Sequence, residues 1–335
     1  MIPFLQYTEE EQRQAFLLTA QKKGLPEPIV EKDWWVSQVL NILFGMPVAE
    51  QMVFKGGTSL SKAWQLIERF SEDIDLAVNP AYFGITETPT KKKIKQLRKR
   101  SSLFVSQELS VLLKQALDEA GLTELCRMDV QPDGEGDSTY PEPRVISLYY
   151  RSLYEESSNA YVQPVVKLEI GARSLIEPTE QVECRSMLSE VLPVPDYRNV
   201  AISTAAPQKT FLEKVFLLHE LFSISRENLT ANRRSRHLYD LERMMDKPFA
   251  MKAVHDDDLW EHIRQHRMAF TAMAGVDYSE DMREHLCLIP PAHVLADWQD
   301  DYNRMCATMI YGDKLPFDEL LKRIEELQRR FREIN

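Results

Sequence analysis

An α+β fold, a mixed sheet flanked by helices and followed by a helical domain, is what three features of this 335-residue sequence predict. Runs rich in β-branched and aromatic residues, with strand-like alternation, fall between about residues 52 and 202. Apolar residues recur at helical spacing both before and after that span. Strand signals cease beyond Pro207, so we place a boundary near residue 206, giving a first domain over 1–206 and a helical one over 207–335.

Element by element, residues 9–44 predict two helices separated by Gly24 and Pro26, which interrupt the periodic pattern. The short run MVFK then ends in Gly56-Gly57, and a helical pattern runs from Ser59 to Arg69. Residues 73–78 (DIDLAV) alternate like a strand. KKKIKQLRKR, residues 91–100, begins one long helix reaching Ala120. RMDVQP, RVISLYYRS, VQPVVKLEIGA and EQVECRSM read as strands, with the loop DGEGDSTYPEP between the first two. KTFLEKVFLLHELF, SRHLYDLERMM and FDELLKRIEELQRRFREI read as helices.

Composition narrows the classes. A hydrophobic fraction of 44 % and a charged fraction of 28 % exclude wholesale disorder and a collagen-like chain. Cys126, Cys184, Cys287 and Cys306 show no paired spacing, which argues against a zinc cluster or a disulfide framework and for a reducing compartment. The N-terminal stretch lacks the pattern of a secretory signal and no run is long and apolar enough to span a bilayer; the expectation is a cytoplasmic protein without a membrane partner. The net charge is −11, and setting aside the seven positive charges of residues 91–100 leaves −18 on the rest. An acidic body with one cationic segment disfavours indiscriminate nucleic-acid binding while leaving that segment as a guide for an RNA backbone.

The chemistry concentrates around two aspartates. In a strand, Asp73 and Asp75 share one face while Ile74, Leu76 and Val78 take the other. Two carboxylates side by side repel unless something neutralises them, and Mg²⁺ is commonly held by one or two carboxylates plus substrate phosphates. Upstream, Gly56 and Gly57 end a strand and Thr58 and Ser59 begin a helix. Exposed backbone N–H groups, the positive helix end and two hydroxyls there form a cradle for the phosphates of a nucleoside triphosphate. Downstream, Glu169 and Lys167 share the face opposite Val166, Leu168 and Ile170, which makes Glu169 either a third metal ligand or half of a surface ion pair. Glycines and hydroxyls at a helix start, Asp-x-Asp on a strand, then an isolated acid in an apolar strand, is the layout of polymerase-β-type nucleotidyltransferases.

EKDWW, FKGGTSLSKAW, IERFSEDIDLAV, VKLEIGARS, TFLEKVFLLHE and SRHLYDL, in that order over roughly residues 31 to 245, closely resemble the AbiEii/AbiGii type of toxin nucleotidyltransferase. The resemblance implies an α/β nucleotidyltransferase domain with a helical C-terminal domain, a role in type IV toxin–antitoxin and abortive-infection phage defence, and a separately encoded antitoxin. It also implies Mg²⁺ or Mn²⁺ as cofactor, and transfer of a nucleoside monophosphate to an RNA acceptor such as tRNA. Residue by residue, it places the phosphate motif on Gly57, Thr58 and Ser59, the metal acids at Asp73 and Asp75, a phosphate-steadying cation at Lys214 and a supporting acid at Asp240. The gap from Thr58 to Asp73 is long for the superfamily, leaving open which hydroxyl faces phosphate.

Other residues have competing readings. Lys214 lies among apolar residues, where a lysine commonly extends its ammonium to solvent. Arg236 and Asp240 are spaced as an intrahelical pair; we assign Arg236 to substrate. Arg69 divides evenly between nucleotide binding and surface, Lys55 and Lys62 are read as solvated, and His219 and His237 as interior histidines without a catalytic task. Ser71, two residues before Asp73, is a position where phosphorylation would add negative charge beside the acids. Two other functions stay open: nucleotidylation of a protein or small-molecule hydroxyl, and a nucleotide-binding interaction protein without turnover.

Overall fold

The computed structural model describes residues 2–86, 89–136, 139–154, 162–223 and 229–334. Residues 137 and 138 of the loop DGEGDSTYPEP lie outside the described residues. The chain divides into two compact units, Met1–Ala63 with Phe70–Ala205, and Trp64–Arg69 with Ala206–Asn335.

The first unit is built on a seven-stranded mixed sheet. Its strands are β1 (Met52–Lys55), β2 (Asp73–Val78), β3 (Cys126–Val130), β4 (Arg144–Tyr150), β5 (Val165–Gly171), β6 (Thr179–Glu183) and β7 (Ala201–Ala205), in the order β3-β4-β5-β2-β1-β7-β6. β2 pairs parallel with β5 and β1 with β7, and the other neighbours are antiparallel. Registers Ile74↔Leu168, Leu168↔Ile146, Leu76↔Ile170 and Phe54↔Leu76 align the apolar residues of four strands in rows, all fully buried. This face of the sheet forms the core, and burial of such rows drives the pairing.

Helix α1 (Glu9–Lys23) begins at a reciprocal cap between Thr8 and Glu11 and stops at Gly24, whose φ of 67° suits a glycine. Helix α2 (Glu27–Phe44) is buried from Ile29 to Phe44 and packs against β2, β5 and β7. That burial includes three consecutive charges, Glu31, Lys32 and Asp33.

Two expectations from sequence change here. The helix expected from Ser59 to Arg69 is instead α3 (Gly56–Lys62). It stops because Gln65 takes a φ of 51° and the backbone of Glu68 and Arg69 is extended: Tyr311 N donates to Glu68 O at 3.1 Å, and Arg69 bridges Ile310. The long helix beginning at Lys91 divides into α4 (Lys91–Leu103), a π-helical stretch over Phe104–Leu109 and α5 (Ser110–Ala120).

The second unit comprises the segment at 64–69 and helices α7 (Pro207–Phe222), α8 (Arg236–Met244), α9 (Pro248–Val254), α10 (Asp257–Phe270), α11 (Leu295–Thr308) and α12 (Phe317–Arg332); the short α6 (Met187–Val191) belongs to the first unit. Its core is aromatic. Phe216 meets Trp260 at 4.4 Å between ring centroids, and Trp260 meets Phe331 at 5.4 Å. Among the described residues no helix is long and apolar enough to cross a membrane.

Candidate active site

In the first unit, strand β1 delivers the chain into Gly56, where φ is 79°. A side chain there is excluded twice, by that backbone angle and by Asp75, whose Oδ2 would lie 2.0 Å from an added Cβ. The Asp75 carboxylate therefore rests directly on the glycine backbone at the start of α3. Asp73 and Asp75 are both partly exposed, while Ile74 and Leu76 between and after them are fully buried.

The sheet register builds outward from Asp75. Lys55 of β1 stands opposite it on one side and Glu169 of β5 on the other, while Asp73 stands opposite Lys167. Neighbouring strands lie about 4.8 Å apart, and registered residues share a face. Asp73, Asp75 and Glu169 thus occupy one face of adjacent strands, with Lys55 and Lys167 as interleaved cations. Burial raises the pKa of Asp73, and the charges of Glu72 and Asp75 raise it further, against the opposing pull of Lys167 and Lys32.

An acid whose ionised form is disfavoured by neighbouring acids fits a divalent cation, because the cation relieves that repulsion with oxygen ligands. Among the described residues no three His, Cys, Asp or Glu side chains are already gathered as a cage. Asp73 and Asp75, on one strand face, are oxygen donors of the kind such an ion takes.

The two hydroxyls of the turn are occupied internally. Thr58 is fully buried, its Oγ1 donating to the Asp73 carbonyl and lying 2.9 Å from Ser71 Oγ. Ser59, also fully buried, donates to the Gly56 carbonyl at 2.9 Å. Thr58 braces the turn against the start of β2, Ser59 closes the turn on itself, and backbone N–H groups are what the turn offers an anion. Lys62, read from sequence as solvated, has its Nζ 2.5 Å from buried Asp33.

The remaining site residues form a cluster within the second unit. Asp240 of α8 has no exposed surface and accepts from Arg69 Nε at 2.7 Å, Arg69 Nη2 at 2.8 Å and Lys214 Nζ at 2.8 Å. Burial pushes the Asp240 pKa up, but Arg69 and Lys214 outweigh it and hold the carboxyl below the usual range. Lys214 of α7, only 7 % exposed, is held by Asp240 rather than extended to solvent, and Arg69 is just 2 % exposed. Lys214 Nζ also lies 3.4 Å from His237 Nδ1. An ammonium can only donate, so Nδ1 is the acceptor. Burial, then Lys214 and Arg236, push the His237 pKa well down, consistent with a neutral ring. Arg236, at the first turn of α8, contributes electrostatically to both Lys214 and His237.

Sequence reasoning gave no role to Lys32, Glu72 or His237. The signal for the first was present: three adjacent charges inside an otherwise apolar helix require partners.

A mixed sheet bearing Asp-x-Asp beside a glycine turn, joined to a helical unit, has the fold of a nucleotidyltransferase toxin. MenT4, a nucleotidyltransferase toxin from Mycobacterium tuberculosis H37Rv, is similar at a TM-score of 0.54 and 15 % identity, over 96 % of this chain and 90 % of that one. JHP933 from Helicobacter pylori is more distant, with a TM-score of 0.36 and 13 % identity over 91 % of this chain and 99 % of its own. No curated protein sequence matches. The family model described as nucleotidyl transferase AbiEii toxin, type IV toxin–antitoxin system, matches residues 41–323. The chain belongs to this family and is a nucleotidyltransferase toxin of the type IV class.

Proposed function

We propose that this toxin transfers a nucleoside monophosphate from a nucleoside triphosphate to a hydroxyl of an RNA acceptor, tRNA, in a Mg²⁺-dependent reaction. The observation that carries the reading is the Asp75 carboxylate seated on Gly56, with Asp73 on the same strand face. Phosphate turn and acids then form one surface, as a triphosphate with its cation requires.

In this reading the backbone N–H groups at Gly57–Ser59 receive phosphate oxygens, and Gly56 lets the acids approach. Asp73 and Asp75, with Glu169 beside them, hold Mg²⁺. When bound, the cation offsets phosphate charge and makes the acceptor hydroxyl more acidic. The acceptor oxygen bonds to the α-phosphorus as the α–β phosphoanhydride bond breaks, pyrophosphate departs, and the hydroxyl proton passes to solvent. The residues act through placement and charge.

Lys214, Arg69 and Asp240 together retain one positive charge, since two cations face one carboxylate. Within the second unit, Lys214 and Arg236 are assigned as cations for nucleotide phosphate, Asp240 to fixing Lys214, and Arg69 to anchoring Asp240. The RNA acceptor is supported by α4, on which Lys91, Lys92, Lys93, Lys95 and Lys99 are exposed. A cytoplasmic location and a separately encoded antitoxin go with the type IV class.

Incubation of the protein with each labelled triphosphate, total RNA and cell protein tests this. Label in tRNA, lost on Asp73→Ala in a folded protein, supports it. Label in protein or a small molecule would overturn the acceptor, and nucleotide binding without transfer would overturn the chemistry.

A further inference from the structure

The charges of EKDWW lie buried in α2, and the nucleotide chemistry above gives them no task. Each pins a different part of the first unit. Glu31 accepts from Leu153 N at 2.7 Å and from Ser152 Oγ at 2.5 Å, on the chain following β4. Asp33 pairs with Lys62, the last residue of α3, and accepts from Met187 N at 2.7 Å. Lys32 has the most pointed placement. Its side chain is 1 % exposed, and Nζ donates to Glu72 Oε2 at 2.6 Å and to the Gln163 carbonyl at 2.9 Å.

Those two acceptors lie at the starts of the two strands that carry the acids. Glu72 immediately precedes Asp73 of β2, and Gln163 lies two residues before Val165, where β5 begins. β2 and β5 run parallel, so one ammonium joins the same ends of both strands. The next residues along are Asp73 opposite Lys167, then Asp75 opposite Glu169.

We propose that Lys32 is a positioning residue for the metal-binding acids, bracing β2 against β5 so that the Asp73 and Asp75 carboxylates keep the spacing and direction a small octahedral cation demands. This rests on the metal reading of Asp73 and Asp75. Lys32 touches neither substrate nor cation; it acts through Glu72 and the Gln163 carbonyl. Its charge also offsets that of Glu72, the residue next to Asp73.

Geometry decides how the test reads. Mg²⁺ requires near-ideal octahedral ligands and Mn²⁺, smaller than Ca²⁺, favours six oxygen ligands, whereas Ca²⁺ accepts a looser shell of six to eight. Loosening the brace therefore weakens Mn²⁺ binding more than Ca²⁺ binding, while a general loss of stability does not change that preference in molecules that remain folded. The full chain without nucleotide is titrated with Mn²⁺, read by its electron paramagnetic resonance signal, and with Ca²⁺ by competition.

Lys32→Met is expected to weaken Mn²⁺ binding by about tenfold or more, within the usual effect of residues that orient metal ligands. Ca²⁺ binding should change much less, and kcat should fall with KM for the triphosphate nearly unchanged. Glu31→Gln, an equally buried change on the same helix, should lower the melting temperature and leave the Mn²⁺ to Ca²⁺ preference as in the wild type. If Lys32→Met does not fold, Glu72→Ala tests the other end of the brace and should move the preference the same way. A folded Lys32→Met or Glu72→Ala with wild-type preference overturns the proposal. Asp73→Ala separates the two levels: wild-type Mn²⁺ affinity in that variant overturns the metal reading itself, whereas loss there with no change in Lys32→Met overturns only the brace.

Discussion

Gly56→Ala is the most direct test of the surface formed by the turn and the acids. The added Cβ would meet Asp75 Oδ2 at 2.0 Å and Asp75 Cγ at 2.8 Å. Approaches under about 3 Å are not tolerated, so the Asp75 oxygen must move by about 1 Å, a displacement that costs on the order of 100-fold in rate when it falls on a catalytic group. The φ of 79° adds its own strain of roughly 1–2 kcal/mol for a residue with a Cβ. Gly24→Ala is an internal control. It carries a similar φ of 67° with nothing within 4 Å of the added Cβ, so it has the backbone penalty without the clash. Both variants are compared by thermal unfolding and by incorporation of labelled nucleotide. Each should lose stability of similar size from the backbone strain, and only Gly56→Ala should lose incorporation, by about two orders of magnitude. Wild-type incorporation by Gly56→Ala would refute the claim that Asp75 must occupy that spot during turnover.

The other expectations concern separate elements. Asp240→Asn removes the carboxylate that faces both buried cations, Arg69 and Lys214, and should cost about 3–5 kcal/mol in chemical denaturation. Because the Asp240 pKa is depressed, its stabilisation is present above the unfolded carboxylate value of about 3.9 and is lost as pH falls below it. Asp240→Asn should lack that acid limb, and an unchanged denaturation midpoint from pH 6 to 3 in the wild type would oppose the assignment. Reversing Lys91, Lys92, Lys93 and Lys95 to Glu should weaken RNA modification and lower its salt dependence by about 0.7–0.9 in log–log slope for each RNA phosphate that α4 no longer neutralises. Triphosphate KM should not move; an unchanged slope would remove α4 from the RNA path. Thr58→Val removes the hydroxyl joining α3 to the Asp73 carbonyl and should cost about 1–3 kcal/mol, seen as a lower melting temperature.

What the sequence made visible and what it hid divide along the range of the interactions. Strand β2 and its two aspartates were legible because a period of two is a local property, and the glycine turn was legible because φ > 0 has few solutions. The expected helix from Ser59 to Arg69 failed for the opposite reason: helical spacing of apolar residues continues through Ile67, but the backbone at Glu68 is taken by Tyr311. The π-helical stretch at Phe104–Leu109 likewise lies inside a sequence that reads as unbroken helix.

Arg69 shows the limit most clearly. Four residues before Asp73, its place in the chain left it divided evenly between nucleotide ligand and surface. A guanidinium that is buried needs a partner of matching geometry, and this one is Asp240, 171 positions away. Lys32 repeats the lesson with partners 40 and 131 positions away. In both cases the residue type and an apolar setting announce that a charge must be paired, while the identity of the partner is a property of the fold. The consequence for this enzyme is specific. Charges readable as surface from local pattern, Lys62 and Lys214 among them, are largely committed to internal pairs, whereas the acids of β2 have like-charged neighbours and only interleaved lysines. Asp73, its pKa raised first by burial and then by Glu72 and Asp75, is an acid whose ionised form added positive charge would stabilise. In the proposed reaction, a divalent cation arriving with its triphosphate supplies that charge.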